Sequence, residues 1–172
     1  MNGFISRRKF ITSGTIALSS LAMVDMPAFA NVISKENRVR VALIGVGQRG
    51  LGLANLLKKS AGIELIACCD IVDTNLQNGI AVAAPKAKAY KDYHSLLKNK
   101  DIDAVIIATP LYLHYQMVMD ALSAGKHVYV EKTMTYDIPQ AVALVNRMKS
   151  SKLVLQVGHQ YRYYAMYHKI KE

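Results

Sequence analysis

The stretch VRVALIGVGQRGLGLANLL, residues 39–57, constrains the fold of this chain more than any other segment. An apolar run leads into Gly45, Gly47 and Gly50, which are followed by apolar residues at helical spacing. The glycines form G-x-G-x-x-G in the turn between a predicted strand and a predicted helix. Asp70 follows Gly50 by twenty residues, at the end of the next predicted strand. This combination predicts a βαβ unit that binds a dinucleotide.

Each glycine of the motif has a physical role in such a site. Gly45 permits a tight turn, Gly47 lacks a Cβ that would hold a pyrophosphate away from the backbone, and Gly50 lets the helix pack closely on the strand. The N-terminus of the helix then offers free N–H groups and a positive dipole end to the phosphates. The other motif residues expected at the cofactor are Val46, Gln48 and Arg49.

Asp70 predicts which dinucleotide is bound. Its carboxylate can accept hydrogen bonds from both hydroxyls of the adenosine ribose, and its charge repels a 2′-phosphate, so NAD is favoured over NADP. Arg49 could meet a phosphate, which keeps NADP as the less favoured alternative. A glycine turn in a doubly wound domain that binds nothing is the structural alternative.

Short apolar runs alternate with longer helical patterns after residue 38. The runs are apolar on consecutive positions, which is typical of parallel strands covered on both faces. We therefore predict an α/β fold, a doubly wound (Rossmann) parallel sheet with helices on both faces, over residues 38–158. The predicted strands are Val39–Ile44, Ile63–Cys69, Ala104–Ala108, His127–Val130 and Leu153–Val157, with a weaker candidate at Ala87–Tyr90; the predicted helices are Arg49–Lys59, Thr74–Ala83, Tyr93–Asn99, Leu113–Ala124 and Ile138–Ser150.

The first thirty residues have the three parts of an export signal. Basic residues at positions 7–9 precede a mildly apolar run, Phe10–Val24, and the small residues of an A-x-A site end at Ala30. The segment SRRKFI resembles the twin-arginine signal. We expect export by the twin-arginine route to the periplasm, cleavage after Ala30, and a linker over residues 31–37. The alternative is an amphipathic helix of the fold.

The formal net charge of +10 raises the possibility of a nucleic-acid or membrane-surface partner. The basic residues are scattered, and no basic-aromatic motif of a nucleic-acid module is present. The N-terminal apolar run is too short for a membrane span, which needs about 20 apolar residues. We therefore predict neither a nucleic-acid partner nor a membrane span, and assign the charge to solvated surface.

The only cysteines, Cys68 and Cys69, are adjacent in the chain. Adjacent Cα atoms lie about 3.8 Å apart, closer than disulfide geometry favours. On a strand the two side chains point to opposite faces, which predicts two buried thiols. We predict no metal site.

Four segments resemble the Gfo/Idh/MocA family of oxidoreductases, which includes relatives of glucose–fructose oxidoreductase and inositol dehydrogenase. They are GVGQRG at 45–50, CCD at 68–70, ATPLYLHYQM at 108–117 and GKHVYVEKTM at 125–134, with a looser match in VGHQYRY at 157–163. The resemblance covers residues 39 to about 170, the N-terminal domain of the family. It implies a Rossmann domain and oxidoreductase activity on a sugar or polyol.

The resemblance also implies roles for single residues. Thr109, Pro110 and His114 match a motif whose loop lies against the nicotinamide side of the cofactor. Glu131 and Lys132 match a Glu-Lys-Pro motif, in which the backbone touches the nicotinamide ribose and the lysine reaches the substrate and assists proton transfer. Lys132 is thus the expected catalytic residue and Glu131 a cofactor-binding one. The alternatives are a capping or core histidine at 114 and a surface lysine at 132.

The chain departs from the family pattern at Thr133, which replaces the usual proline. We therefore expect a trans bond and a differently shaped loop there. After the sixth predicted strand, His159 and Arg162 are the candidate substrate residues, with Gln160 beside them. Tyrosines follow that suit either sugar stacking or packing against the sheet, at positions 161, 163, 164 and 167.

The resemblance and the export signal together imply a mechanism. Outside the inner membrane little free NAD is expected, so the cofactor should be tightly held and reoxidised within one site. This suits hydride transfer between a sugar or polyol and a second carbonyl. It also suits an NAD-dependent, redox-neutral glycoside hydrolase, in which transient oxidation of a hydroxyl permits elimination of the glycosidic bond. A non-catalytic nucleotide-binding fragment is the third possibility.

Residues 159–172 are interpreted as the start of a connection to a C-terminal substrate domain that is absent from this sequence. In the family that domain supplies most of the substrate pocket and the oligomer interface. We therefore expect any homo-oligomer to form through the missing domain.

Overall fold

A computed structural model describes residues 38–164 together with Met166 and Lys169. The predicted export signal and linker lie outside the described residues, as do several residues of the predicted connection, including Tyr167 and His168. Within the described part of the chain, no helix has both the length and the apolar character needed to cross a membrane.

The fold is a six-stranded parallel sheet with strand order β3-β2-β1-β4-β5-β6. Successive strands are added on one side of β1 up to β3 and on its other side from β4 onward, which confirms the predicted doubly wound α/β fold. The strands are β1 Val39–Ile44, β2 Ile63–Cys69, β3 Lys88–Tyr90, β4 Ala104–Ile107, β5 His127–Val130 and β6 Leu155–Val157. The helices are α1 Gln48–Leu57, α2 Asp73–Val82, α3 Tyr93–Leu97, α4 His114–Ser123 and α5 Ile138–Lys149, with short 3₁₀ turns at Leu111–Leu113 and Gln160–Tyr163.

Local sequence signals explain where two of the helices begin. The side chain of Asp137 accepts a hydrogen bond from the Gln140 N–H at 2.8 Å, and Pro139 occupies the first turn of α5. Asp92 caps α3 by accepting from the N–H groups of His94 and Ser95. These caps satisfy N–H groups that have no partner inside the helix.

The two cysteines divide the core between the faces of the sheet. Cys68 packs with Val41, Leu43 and Val46 on one face, whereas Cys69 packs in the second cluster on the other face. Both thiols are free and buried, as predicted. Burial raises the pKa of Cys68 to about 12 and that of Cys69 to about 11.

The parallel arrangement brings the carboxyl ends of the strands to a single edge of the sheet. The last residues of β1, β2 and β4 are Ile44, Cys69 and Ile107, and those of β5 and β6 are Val130 and Val157. All the segments predicted to carry site residues leave the sheet at this edge. Ligands of open α/β sheets bind there, at the point where strand order reverses. β6 starts at Leu155, two residues after the predicted start.

Candidate active site

The glycine turn after β1 is packed directly against the segment that follows β4. Gly45 has φ +87°, and a Cβ built on it would lie 2.8 Å from backbone atoms of Ala108 and Thr109. A Cβ on Gly50 would collide with the carbonyl oxygen of Gly45. Only glycine fits at these two positions, because backbone conformation and lack of space exclude a side chain at Gly45 and lack of space excludes one at Gly50.

The middle glycine faces open space, as a pyrophosphate site requires. A Cβ on Gly47 would have no neighbour within 4 Å, and Gly47 is the N-cap of α1 without any side-chain capping bond. The first N–H groups of α1, beginning at Gln48, are therefore available to an anionic ligand. These features fit the diphosphate of a dinucleotide.

Asp70 holds the glycine turn in place. Its Oδ2 accepts from the Val46 N–H at 2.7 Å and its Oδ1 accepts from the Val72 N–H at 2.8 Å. Asn75 Nδ2 is 3.4 Å from Oδ2. A carboxylate offers about four acceptor positions, so these donors leave about one for a ribose hydroxyl. The bond to Val46 is a function that sequence spacing did not predict.

Two cavities of similar size lie on either side of Thr109. The Asp70 cavity, of ≈ 540 Å³, is lined by Gly45, Gly47, Asp70 and Pro110, among others. The Lys132 cavity, of ≈ 550 Å³, is lined by residues from three loops. Ala108 and Thr109 line both cavities, so they meet at the end of β4. The charged and polar residues of the Lys132 cavity are Arg49, Thr109, His114, Glu131, Lys132, His159, Gln160, Tyr161 and Arg162.

Four exposed basic residues line the Lys132 cavity, namely Arg49, whose guanidinium is paired with Glu131, and Lys132, His159 and Arg162. Among the described residues, none accepts a hydrogen bond from the Lys132 amine or forms an ion pair with it. An unpaired amine in a cavity next to a dinucleotide cleft can bind a hydroxyl and exchange a proton with it. The structure thus brings together the predicted catalytic lysine and both predicted substrate residues.

The carboxylate of Glu131 is buried and bonded to other side chains of the protein. Only 6% of the residue is exposed, and its Oε1 accepts from Arg49 Nε at 2.8 Å and from the Tyr129 hydroxyl at 3.2 Å. Arg49 also donates to Gln160 Oε1 at 2.8 Å. The hydrogen bond and charge of Glu131 raise the pKa of Arg49, whereas burial, reinforced by Glu131, raises the pKa of Tyr129. The guanidinium therefore points into the Lys132 cavity, and only the Arg49 backbone belongs to the glycine turn.

His114 lies beneath the two loops that separate the cavities. The residue is only 2% exposed, with Nδ1 2.8 Å from the Thr133 carbonyl oxygen and Nε2 3.0 Å from that of Thr109. A neutral ring donates to one of these carbonyls at a time. The ring thus connects the two predicted cofactor-side loops, whereas its predicted contact with the cofactor stays a prediction.

The loop after Lys132 differs from expectation. The Lys132–Thr133 peptide bond is cis, so the expected trans bond is wrong. The carbonyl of Thr133 is held by the buried ring of His114, a contact that a local sequence reading does not contain. Thr109 is anchored separately, with its hydroxyl 3.4 Å from Met117 Sδ.

The tyrosine-rich tail does not pack into the sheet. Tyr161, Tyr163 and Tyr164 are all exposed, and the hydroxyl of Tyr163 accepts from Gln156 Nε2 at 2.7 Å. Burial of these three rings against the sheet is therefore wrong, although the hydroxyl of Tyr163 contacts Gln156 of β6. Tyr161 lines the Lys132 cavity.

Sequence reasoning missed Tyr129 and Gly158, which support Glu131. A Cβ on Gly158 would lie 2.5 Å from the Tyr129 hydroxyl and 3.1 Å from Glu131 Oε1. Both residues lie in segments that resemble the family, but no local signal assigns either of them to the support of Glu131. In the described part of the chain, no group of three or more His, Cys, Asp or Glu could hold a metal ion.

Comparison with known proteins identifies relatives of this arrangement. A family model described as an oxidoreductase family with an NAD-binding Rossmann fold matches residues 39–159. Inositol 2-dehydrogenase of Salmonella typhimurium is 31% identical over 135 residues, which are 77% of this chain and 40% of that protein. Glycosyl hydrolase family 109 protein 2 of Shewanella sp. (strain ANA-3) is 36% identical over an alignment of 170 positions that covers 85% of this chain and 37% of that protein.

A solved structure shares the same fold. Myo-inositol dehydrogenase from Lactobacillus casei, in complex with NAD(H) and myo-inositol, aligns with TM-score 0.73 and 31% identity. The alignment covers 78% of this chain and 40% of that one. The chain thus spans about two fifths of the length of the curated relatives that it matches.

Proposed function

The chain belongs to the Gfo/Idh/MocA oxidoreductase family and contains its NAD-binding Rossmann domain, and we propose that it serves hydride transfer between NAD and a sugar or polyol. The proposal rests on the adjacency of two cavities that share Ala108 and Thr109. One contains the glycine turn and Asp70, and the other contains the free amine of Lys132. A dinucleotide held by the glycine turn and Asp70 would supply the hydride acceptor.

The residues of the Lys132 cavity would provide proton transfer, substrate orientation and support of the loop. The Lys132 amine takes up the proton of the hydroxyl that is oxidised and returns it in the reverse direction. His159 and Arg162 orient the other hydroxyls by hydrogen bonds. Glu131 and Arg49 do not react, since they bind each other. Glu131 also accepts a hydrogen bond from the backbone N–H of Lys132 and so supports the loop that carries it.

The charges around the Asp70 cavity support NAD rather than NADP. Asp70 and Asp92 both line it, and the Arg49 guanidinium is turned away to Glu131. A 2′-phosphate would meet two carboxylates at this cavity. Isothermal titration of the full chain with NAD and NADP tests the preference directly, and equal affinity for both would contradict it.

Redox-neutral glycoside hydrolysis is the second candidate. The glycosyl hydrolase family 109 relative is 36% identical, compared with 31% for the inositol dehydrogenase. A hydrolase would release nitrophenol from nitrophenyl glycosides without net formation of NADH, whereas a dehydrogenase would form NADH from a polyol. If NAD binds and neither reaction occurs, the third interpretation, a nucleotide-binding module without turnover, is the correct one.

The same two assays locate the contribution of Lys132. Lys132→Met should abolish either reaction and leave NAD affinity unchanged, because the amine faces the substrate side. Lys152→Met, on an exposed lysine outside both cavities, is the matched control.

We also propose export by the twin-arginine route and a periplasmic location for the mature protein. The basic cluster at positions 7–9, the apolar run Phe10–Val24 and the small residues that end at Ala30 support it. Replacing Arg7 and Arg8 by lysine should retain the precursor in the cytoplasm, and the mature protein should begin at Asn31.

A tightly held cofactor follows from this location, so near-stoichiometric NAD should remain bound to the purified protein after desalting. Association through a further domain stays a prediction.

A further inference from the structure

A single lysine supplies the only positive charge among the residues that line the Asp70 cavity. Lys91 directly follows β3, and its amine donates to the Ile71 carbonyl oxygen at 3.0 Å. The same amine forms an ion pair with Asp73 Oδ1 at 2.5 Å. Ile71 directly follows Asp70, so the amine is bonded to the residue next to the predicted ribose acceptor.

We propose that Asp73 is a second determinant of cofactor choice, acting by holding Lys91 away from a ligand in the Asp70 cavity. This inference rests on the proposed preference for NAD. The ligand group concerned is the 2′-phosphate that distinguishes NADP from NAD. With Asp73 present, the charge of Lys91 is neutralised; without it, Lys91 becomes a cation at the ribose end of the cavity.

The other carboxylates near Lys91 have partners of their own. Asp92 accepts from the N–H groups of His94 and Ser95 and from the Ser95 hydroxyl. Asp70 accepts from the N–H groups of Val46 and Val72. Asp73 is the carboxylate that forms the ion pair with Lys91, so its removal changes the partners of the amine and leaves the two neighbouring networks intact.

The ion pair between Lys91 and Asp73 is largely exposed to solvent. The side chains of Lys91 and Asp73 are 48% and 80% exposed, and an ion pair of this kind contributes little to stability. An ammonium group has three donors, and a phosphate supplies stronger acceptors than a carbonyl oxygen. Replacing Asp73 should therefore release Lys91 toward a ligand phosphate without disturbing the fold.

Titration of four full-length proteins with NAD and with NADP tests the proposal. They are the wild type, Asp73→Asn, Lys91→Met and the double variant. In Asp73→Asn we expect NADP to bind about tenfold more tightly, the effect of one charge-assisted hydrogen bond, with NAD affinity unchanged. In the double variant that gain should disappear, because the amine that makes the new bond is gone. Lys91→Met alone should leave NAD affinity unchanged.

Asp101→Asn is the matched control. Asp101 is an exposed carboxylate paired with Arg40 at 3.5 Å, at the opposite edge of the sheet, and its loss changes the net charge by the same amount. An equal gain in NADP affinity there would mean that net charge alone is responsible and would overturn the proposal.

Two further outcomes would also overturn it. One is an Asp73→Asn protein with the wild-type ratio of NAD to NADP affinity; the other is a double variant that keeps the gain. Failure of the wild type to bind NAD at all would instead contradict the proposed function, so the two failures are distinguishable. Thermal unfolding of each variant verifies that the chain is folded during the titration.

Discussion

The two cavities differ in what their charged groups are bonded to. In the Asp70 cavity, Asp70 accepts hydrogen bonds from backbone amides, and Asp92 accepts from the first N–H groups of α3. Lys91 is bonded there to Asp73 and to a backbone carbonyl oxygen. In the Lys132 cavity, the amine of Lys132 has no partner among the described residues. Glu131 and Arg49 bind each other there and support the loop. The first cavity is thus preorganised for a ligand of fixed shape, whereas the second offers free groups for chemistry.

The largest expected effect is on the backbone that shapes the first cavity. Gly50→Ala places a Cβ against the Gly45 carbonyl oxygen, and we expect it to lower the free energy of unfolding by about 3 kcal/mol or more and to abolish NAD binding. Gly52→Ala is the matched control in the same helix, since its Cβ meets nothing within 4 Å. There we expect a gain of about 0.5–1 kcal/mol. Chemical denaturation measures both; equal effects would contradict the close approach.

The next effect separates binding from chemistry. Asp70→Asn removes a charged acceptor from both the turn and the ribose site, and we expect NAD affinity to fall about 10- to 100-fold. NADP affinity should fall less than NAD affinity, because loss of the charge weakens the bond to the Val46 N–H but also removes the repulsion of a 2′-phosphate. Lys132→Met should change NAD affinity by less than about twofold. Calorimetric titration measures the NAD affinity of both variants. Similar losses of affinity would contradict the assignment of NAD binding to the Asp70 cavity alone.

A smaller effect measures the support beneath the second cavity. Arg49→Met leaves the buried Glu131 carboxylate unpaired, and we expect a loss of about 2 kcal/mol in unfolding free energy. Arg40→Met is the matched control: its side chain is equally exposed, at 42% against 43%, but its partner Asp103 is 38% exposed instead of 8%. The control should lose less. If the two variants lose the same amount, burial of Glu131 is not the cause.

The smallest effect concerns the helix cap at the rim of the first cavity. The bonds from Ser95 and the His94 N–H hold the pKa of Asp92 below its ordinary value. A lowered folded-state pKa stabilises the fold above the unfolded pKa, and this stabilisation is lost as pH falls below about 4. Asp92→Ala should therefore lower the melting temperature at neutral pH, and the difference from wild type should shrink on acidification. A constant difference down to pH values below the carboxylate range would contradict this assignment.

The fold was predictable because its signals are local. The apolar strands, the glycine turn and the Asp137 cap each depend on residues within a few positions of one another. These signals also predicted which edge of the sheet carries the candidate site, since the carboxyl ends of parallel strands lie at one edge. The roles of Asp70 and Lys132 came from the spacing and the resemblance, respectively, and remain to be tested.

The unpredicted features all depend on contacts between distant segments. Arg49 and Glu131 are 82 positions apart in the chain, and Val46 and Asp70 are 24 apart. The pairing of a guanidinium with a particular carboxylate is set by the packing of three loops, which no single motif encodes. The same applies to the bond before Thr133 and to the exposure of Tyr161, Tyr163 and Tyr164.

Arg49 belongs to the glycine turn by its backbone and to the Lys132 cavity by its side chain. The turn and the loop that carries Lys132 are consequently joined through one planar group, the guanidinium that binds Glu131. We therefore expect a shift of the glycine turn to be transmitted through Arg49 to Glu131 and to the loop that carries Lys132.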